Sequence, residues 1–221
     1  MEIKAVLFDL IGTTVKEDDP NTIMNCFGKA FTDNHLVFDS DLIRANRGRD
    51  KMEMIKLVIK KRGLPLDYVI RIYNSFKINF ANSIDNFSTN TGTLDVMTFL
   101  RERKIKIGLG TGLSRDLFEK IVSHLKWRQE MFDYIGIGNE RGKPRPHPDM
   151  IYDMMAKLIL SNRNEFLKVG DTVADIEEGK NAGVMTAALL AGTQSKEALV
   201  KAQPDFMLEE LTDLKGIVET N

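Results

Sequence analysis

The chain has 221 residues, enough to bury one substantial core, or one core carrying a smaller insertion. Its 43% hydrophobic and 29% charged content and formal net charge of −1 give no electrostatic footing for a nucleic acid or an anionic membrane as partner. A single cysteine, Cys26, excludes an internal disulfide, and the three histidines make no Cys/His cluster with zinc-ligand spacing.

The opening MEIKAVLFDL holds an apolar run far too short to span a bilayer, with no small-residue cleavage pattern before Thr14, so a cytoplasmic protein is expected. The run from Lys4 to Phe8, bounded by Asp9 and Gly12, reads as a strand buried on both faces of a parallel sheet. Asp19 then Pro20 predicts a helix start, followed by Ile23, Met24, Phe27, Ala30 and Phe31 at helical spacing. The stretch DKMEMIKLVIKKRG opens with Asp50 and Glu53 spaced as a capping box and stops at Gly63. Helical periodicity continues through LPLDYVIRIYNSFKINFANSI, which predicts an all-helical insertion over residues 16–87. Its apolar IMNCFGKAF helix suits pairing with a second subunit, as a homodimer, as well as it suits packing inside the insertion.

From residue 88 the rhythm changes. Helix TLDVMTFLRERK, strand IKIGLGT, helix SRDLFEKIVSHLKW, strand YIGIG, helix DMIYDMMAKLIL, strand FLKVGDT and helix ADIEEGKNAG alternate. Strands TAALLAG and DFMLE and helix LTDLKGIVE follow. This alternation predicts an α/β fold, a doubly wound parallel sheet built from residues 1–15 and 88–221, with the helical segment inserted as a second domain. In such sheets the working crevice lies at the carboxyl ends of the strands, which singles out Asp9, Thr111, Asp171 and Thr172.

Asp171 ends a strand and Asp175 follows four residues later, so both can converge on one crevice, and oxygen ligands without histidine or thiolate suit Mg²⁺. The alternative is that Asp171 caps the following helix and Asp175 sits on its solvated face. With Asp9 at the same edge, three carboxylates would repel unless a cation held them, and that cation would also neutralise an incoming phosphoryl group.

In order, FDLIGTT, GLGTG, RGKPRPHPD and GDTVADIEEGKNAG resemble the haloacid dehalogenase superfamily over nearly the whole chain. The resemblance implies a Rossmann-like core with a helical cap, and a hydrolase acting on a small phosphorylated or phosphonate molecule. It implies Asp9 as covalent nucleophile, with the Ile11 carbonyl and Asp171 as Mg²⁺ ligands beside Asp9 and Asp175 supporting them. It further implies Thr111 and the backbone at Gly112 as phosphoryl-oxygen binders. Gly12 and Thr13 fit a tight turn beside the nucleophile and its substrate. For the basic residue, GKPRPHPD offers Lys143 and Arg145, and the RPHPD spacing favours Arg145.

Ile11 stands where most phosphatases of this superfamily carry a second aspartate that protonates the leaving group, help commonly worth roughly 10²–10⁴-fold. Among the branches lacking that acid, length removes the cation pumps, and the GDTVAD acid pair counts against the metal-free dehalogenases. The phosphonatase branch remains, in which a cap lysine turns the substrate carbonyl into an imine, so that the departing carbon leaves as an enamine. Its Gly-x-x-Lys element is matched by Gly48 and Lys51 in RGRDK. With Asp50 as N-cap, Lys51 lies in the first helical turn, where the dipole and the charges of Arg47 and Arg49 favour the neutral amine. A solvated helix start explains the same residues. Arg47 and Arg49 also suit binding of a second acidic group on the substrate. Arg47, Met54 and Asp19 stand where the branch has methionine, histidine and cysteine. A phosphomonoesterase without the usual acid, and a phosphoryl-ligand binding protein without turnover, are the competing readings.

Overall fold

The computed structural model describes residues 2–138, 140 and 142–220. Strand β1 (Ala5–Asp9) lies in the middle of a six-stranded sheet. Around it run β4 (Lys106–Thr111), β5 (Tyr134–Ile137), β6 (Phe166–Gly170), β7 (Met185–Leu189) and β8 (Phe206–Leu208), in the order β5-β4-β1-β6-β7-β8. Every pairing is parallel, with Asp9 opposite Gly110 and Phe8 opposite Val169. All five residues of β1 are buried because both faces of the sheet are covered. Val6 and Phe8 point into one apolar cluster with Leu100 and Phe118, while Ala5 and Leu7 point into the other with Met150 and Met154, the two-residue alternation of a strand. The doubly wound α/β sheet read from the sequence is therefore present.

The helices that cover it are α5 (Thr93–Glu102), α6 (Arg115–His124), α7 (Asp149–Lys157), α8 (Val173–Ala182), α9 (Lys196–Ala202) and α10 (Leu214–Thr220). None of the described helices is long and apolar enough to cross a membrane.

Two short strands, β2 (Val15–Glu17) and β3 (Phe87–Thr89), pair antiparallel beside the main sheet and bracket four helices. These are α1 (Thr22–Thr32), α2 (Ser40–Ala45), α3 (Lys51–Lys61) and α4 (Asp67–Asn82). The junctions expected at 15/16 and 87/88 fall inside this strand pair, which purely helical periodicity does not reveal. Helix α1 begins two residues later than Asp19–Pro20 predicts: Asp19 accepts from Asn21 N in a turn, and the carboxylate of Glu17 takes the Ile23 amide at 2.7 Å. Asp50 does cap α3 through the amides of Met52 and Glu53, whereas Glu53 pairs with Lys56 at 3.0 Å instead of reaching back to close a box. The apolar face of α1 is used inside the insertion, with Phe27 against Phe76 of α4 at 4.4 Å between ring centroids.

Candidate active site

Five segments bring their ends to one edge of the sheet. Asp9 closes β1, Thr111 closes β4, Asp171 follows β6, Thr172 caps α8, and Arg145 reaches in from the loop between β5 and α7. Asp9, Thr111, Arg145, Asp171 and Asp175 are all buried. The Arg145 Nη1 donates to Asp9 Oδ1 at 2.6 Å and to Asp175 Oδ1 at 2.5 Å, so Arg145 is the cation at the centre. Lys143 is exposed and is not among the residues lining the adjoining cavity.

Asp171 does not cap α8. Thr172 does, in a capping box with Asp175, and this leaves Asp171 aimed at the crevice. Its Oδ1 accepts from the Thr13 hydroxyl at 2.9 Å, and its Oδ2 from the Thr193 amide at 2.8 Å and the Thr193 hydroxyl. Thr13 is thus committed to orienting Asp171 and is absent from the cavity wall. Asp175 is more fully engaged: Oδ1 meets Arg145 and the Lys168 ammonium at 2.9 Å, and Oδ2 takes the hydroxyl and amide of Thr172.

Lys168 and Glu178 were not singled out from the sequence. Lys168 is fully buried in β6, between Asp175 and, at 3.4 Å, Glu178, which also lies 3.7 Å from Arg145. The signals were present: a lysine interrupting the apolar run FLKVG, and an acid one helical turn after Asp175. Thr193, after β7, was missed because its loop carries no distinctive motif.

Burial raises the Asp9 carboxyl, only partly opposed by Arg145. Burial, with Asp9 and Asp175 nearby, pushes Asp171 up to about 6. Burial works the same way on Asp175, but the charges of Lys168 and Arg145 outweigh it and hold that carboxyl low. Asp9, Asp171, Asp175 and Glu178 are buried around only two buried bases that pair with them, Arg145 and Lys168, so acids outnumber bases in the cluster. Asp9, Asp171 and Asp175 each offer one carboxylate oxygen within 4.8 Å of the others. An all-oxygen set in which acids outnumber their paired bases fits a hard divalent cation. Asp9, bonded by Arg145 through Oδ1, and Asp171, whose partners are the neutral Thr13 and Thr193, are the two that could face it, with Asp175 bracing both Arg145 and the turn.

Against this centre lies a cavity of about 20 Å³ walled by Asp9, Ile11, Thr111, Gly112, Arg47 and Lys51, with Met54 and Thr193 at its sides. A water needs roughly 10–15 Å³ on this scale, so the insertion is shut down on the site. Closure rests on backbone contact: the Lys51 amide donates to the Gly112 carbonyl at 3.2 Å, and a Cβ on Gly112 would lie 2.4 Å from the Arg49 carbonyl oxygen. A Cβ on Gly48 would lie 2.1 Å from Thr172 Oγ1. Arg47 is buried in an ion pair with Glu17, while Arg49 is half-buried, is not on the cavity wall, and accepts from Lys51 Nζ through its carbonyl at 3.4 Å. Burial lowers the Lys51 pKa to about 8, opposed by Asp9 and assisted by Arg47 and Arg145. Asp9 is the only carboxylate on the cavity wall among the described residues, and Ile11 supplies no acid there.

The family model described as haloacid dehalogenase-like hydrolase matches residues 6–189. A phosphonoacetaldehyde hydrolase of Parabacteroides distasonis is 30% identical over 255 positions, covering 99% of this chain and 96% of that one. The crystal structure of a hydrolase from Pseudomonas syringae superposes with a TM-score of 0.87 at 17% identity, covering 98% of each chain. A phosphonoacetaldehyde hydrolase-like protein from Oleispira antarctica gives a TM-score of 0.86 at 19% identity, covering 100% of this chain and 92% of that one. The two structures establish a shared fold.

Proposed function

The chain belongs to the haloacid dehalogenase-like hydrolases, in their phosphonatase-like branch, and on that premise we propose that it cleaves a small phosphonate or phosphate compound in two steps at Asp9. The observation that carries the reading is the pairing, on one closed cavity, of Asp9 with a lysine whose pKa is lowered to about 8, and of Ile11 with no acid beside it.

In this proposal the Asp9 carboxylate attacks phosphorus, the P–C or P–O bond breaks, and an aspartyl-phosphate forms, which water then hydrolyses to free Asp9 and inorganic phosphate. Mg²⁺, held by Asp9, Asp171 and the Ile11 carbonyl with Asp175 in support, supplies neutralisation of phosphoryl charge when bound. Arg145, Thr111 and the Gly112 backbone orient the phosphoryl oxygens. Residues 16–87 act as the cap that carries Lys51 in and excludes water.

For a carbonyl-bearing phosphonate, the neutral Lys51 amine adds to the carbonyl and, with one proton taken up from solvent, expels water to give a protonated imine. When the P–C bond breaks, its electron pair moves toward the imine nitrogen and leaves an enamine, so no acid at Ile11 is needed; water then protonates the enamine carbon and hydrolyses the resulting imine, which releases the carbonyl product and frees Lys51. Met54, which cannot carry protons, favours a second reading: the Lys51 ammonium, still largely protonated at neutral pH, donates its proton to an ester oxygen as the P–O bond breaks.

The test is phosphate release with Mg²⁺ from phosphonoacetaldehyde and from a panel of phosphomonoesters, for the wild type and Lys51→Ala, together with borohydride reduction during turnover. A reduced adduct on Lys51 and loss of phosphonoacetaldehyde turnover in Lys51→Ala support the imine. Ester turnover weakened in Lys51→Ala without any adduct supports the general acid. Turnover indifferent to Lys51 overturns both roles.

A further inference from the structure

The closed cavity beside Asp9 has room for a water but for no substrate, and a larger space adjoins it. A second cleft of about 310 Å³ lies between the cap and the loop after β7. Its wall carries Lys16 of β2, Arg44 at the last turn of α2, and Arg47, against the single carboxylate of Glu17. Glu17 is already held by Arg47, and Lys16 and Arg44 are exposed with no ion-pair partner among the described residues. The two spaces share Arg47 from the cap and Thr193 from the core, so those residues form the partition between them. Thr193 in turn donates to Asp171.

We propose that this outer cleft is a second anion site, specific for small phosphate-like dianions, that holds incoming substrate and departing inorganic phosphate on the solvent side of the Arg47–Thr193 partition. Two unpaired cations converging on a walled cleft with an excess of positive charge focus the field on a dianion and raise its local concentration. Arg47 lines both spaces, and a guanidinium has a planar fork of five donors of which Glu17 takes one edge, so Arg47 can pass an anion from one space to the other as the cap lifts. The proposal uses the reading of Asp9 as the reaction centre, but its binding half stands without turnover.

The experiment is equilibrium binding of inorganic phosphate, in the presence of Mg²⁺, to the wild type and to the Lys16→Gln/Arg44→Gln double variant, whose substitutions lie at the surface. The expected result is one bound phosphate fewer per chain in the double variant. On a substrate found active in the panel above, kcat/KM at low ionic strength should fall about tenfold, with the difference shrinking as salt is added. Unchanged phosphate stoichiometry overturns the site, wherever the remaining phosphate binds. If no panel substrate turns over while one phosphate is lost, the reading of the reaction fails and the anion site stands.

Discussion

Replacing Gly112 by alanine places a Cβ 2.4 Å from the Arg49 carbonyl oxygen, 2.9 Å from its carbonyl carbon and 3.1 Å from Asp50 N. All three are backbone atoms at the entry to α3, so no side chain can swing aside. Gly112 is not in the left-handed region, so the alanine brings no backbone strain of its own and the substitution reports the contact alone. Non-bonded atoms settle about 3.5 Å apart, so clearing the clash separates the start of α3 from the loop after β4 by roughly 1 Å. That shift breaks the 3.2 Å hydrogen bond from Lys51 N and draws Lys51 back from the cavity. One such bond is worth about 0.5–1.5 kcal/mol, which in a chain of this size moves Tm by about 1–6 °C. Displacing a reacting group by about 1 Å costs roughly 10²-fold in rate. Phosphate release by Gly112→Ala is therefore expected to fall about a hundredfold while Tm falls by no more than about 6 °C. Wild-type turnover in Gly112→Ala would refute the closed arrangement as the reactive one.

The Lys51 pKa of about 8 gives a pH test with a sign. If the neutral amine attacks, the rate climbs through about pH 8 and levels above it; if the ammonium is the acid, the rate falls through the same region; a flat profile removes Lys51 from either role. Asp171, raised to about 6, binds a proton in the folded state that the unfolded chain has lost above about 3.9, so the stability of the metal-free protein declines as pH rises through that window. Urea midpoints with chelator should trace this decline, and Mg²⁺ should reverse it with an affinity that weakens about tenfold per pH unit below 6; midpoints that rise across the window contradict the assignment. Lys168→Met strips the buried counter-charge from Asp175 and Glu178 and should cost roughly 3–5 kcal/mol in urea melts, with part recovered by adding Glu178→Leu. A single variant as stable as wild type would show that the cluster is wetter than its burial indicates.

The strand-end acids were legible because a buried parallel strand is an unbroken apolar run, and a carboxylate at its end is conspicuous. Arg145 and Lys51 were marked through the family resemblance, by the RPHPD spacing and the Gly-x-x-Lys element, and the cap at Asp50 placed Lys51 at the start of α3. What lowers the Lys51 pKa was read only in part: the sequence offered the helix dipole, Arg47 and Arg49, whereas burial and the approach of Arg145 depend on chain segments far apart in the sequence. The same limit hid Lys168 and Thr193, whose partners are set by sheet order. Helices α2 and α9 have 6 and 7 residues, too few for a 3.6-residue period to show, and β2 and β3 are shorter still. Thr13 was placed beside the right atoms, but which neighbour its hydroxyl serves is decided only once β6 lies next to β1.

The pairing of β2 with β3 sets Lys16 directly across from Ser88, so the chain leaves the sheet and returns to it at adjoining points. A segment whose two ends already meet is portable: it can be lengthened, trimmed or exchanged without disturbing the strands that hold Asp9 and Asp171. On the proposed reading, phosphoryl chemistry and substrate choice are thereby written on separable stretches of one polypeptide. Grafting a foreign segment between Lys16 and Ser88 is then expected to change the compound attacked while keeping the Asp9 carboxylate.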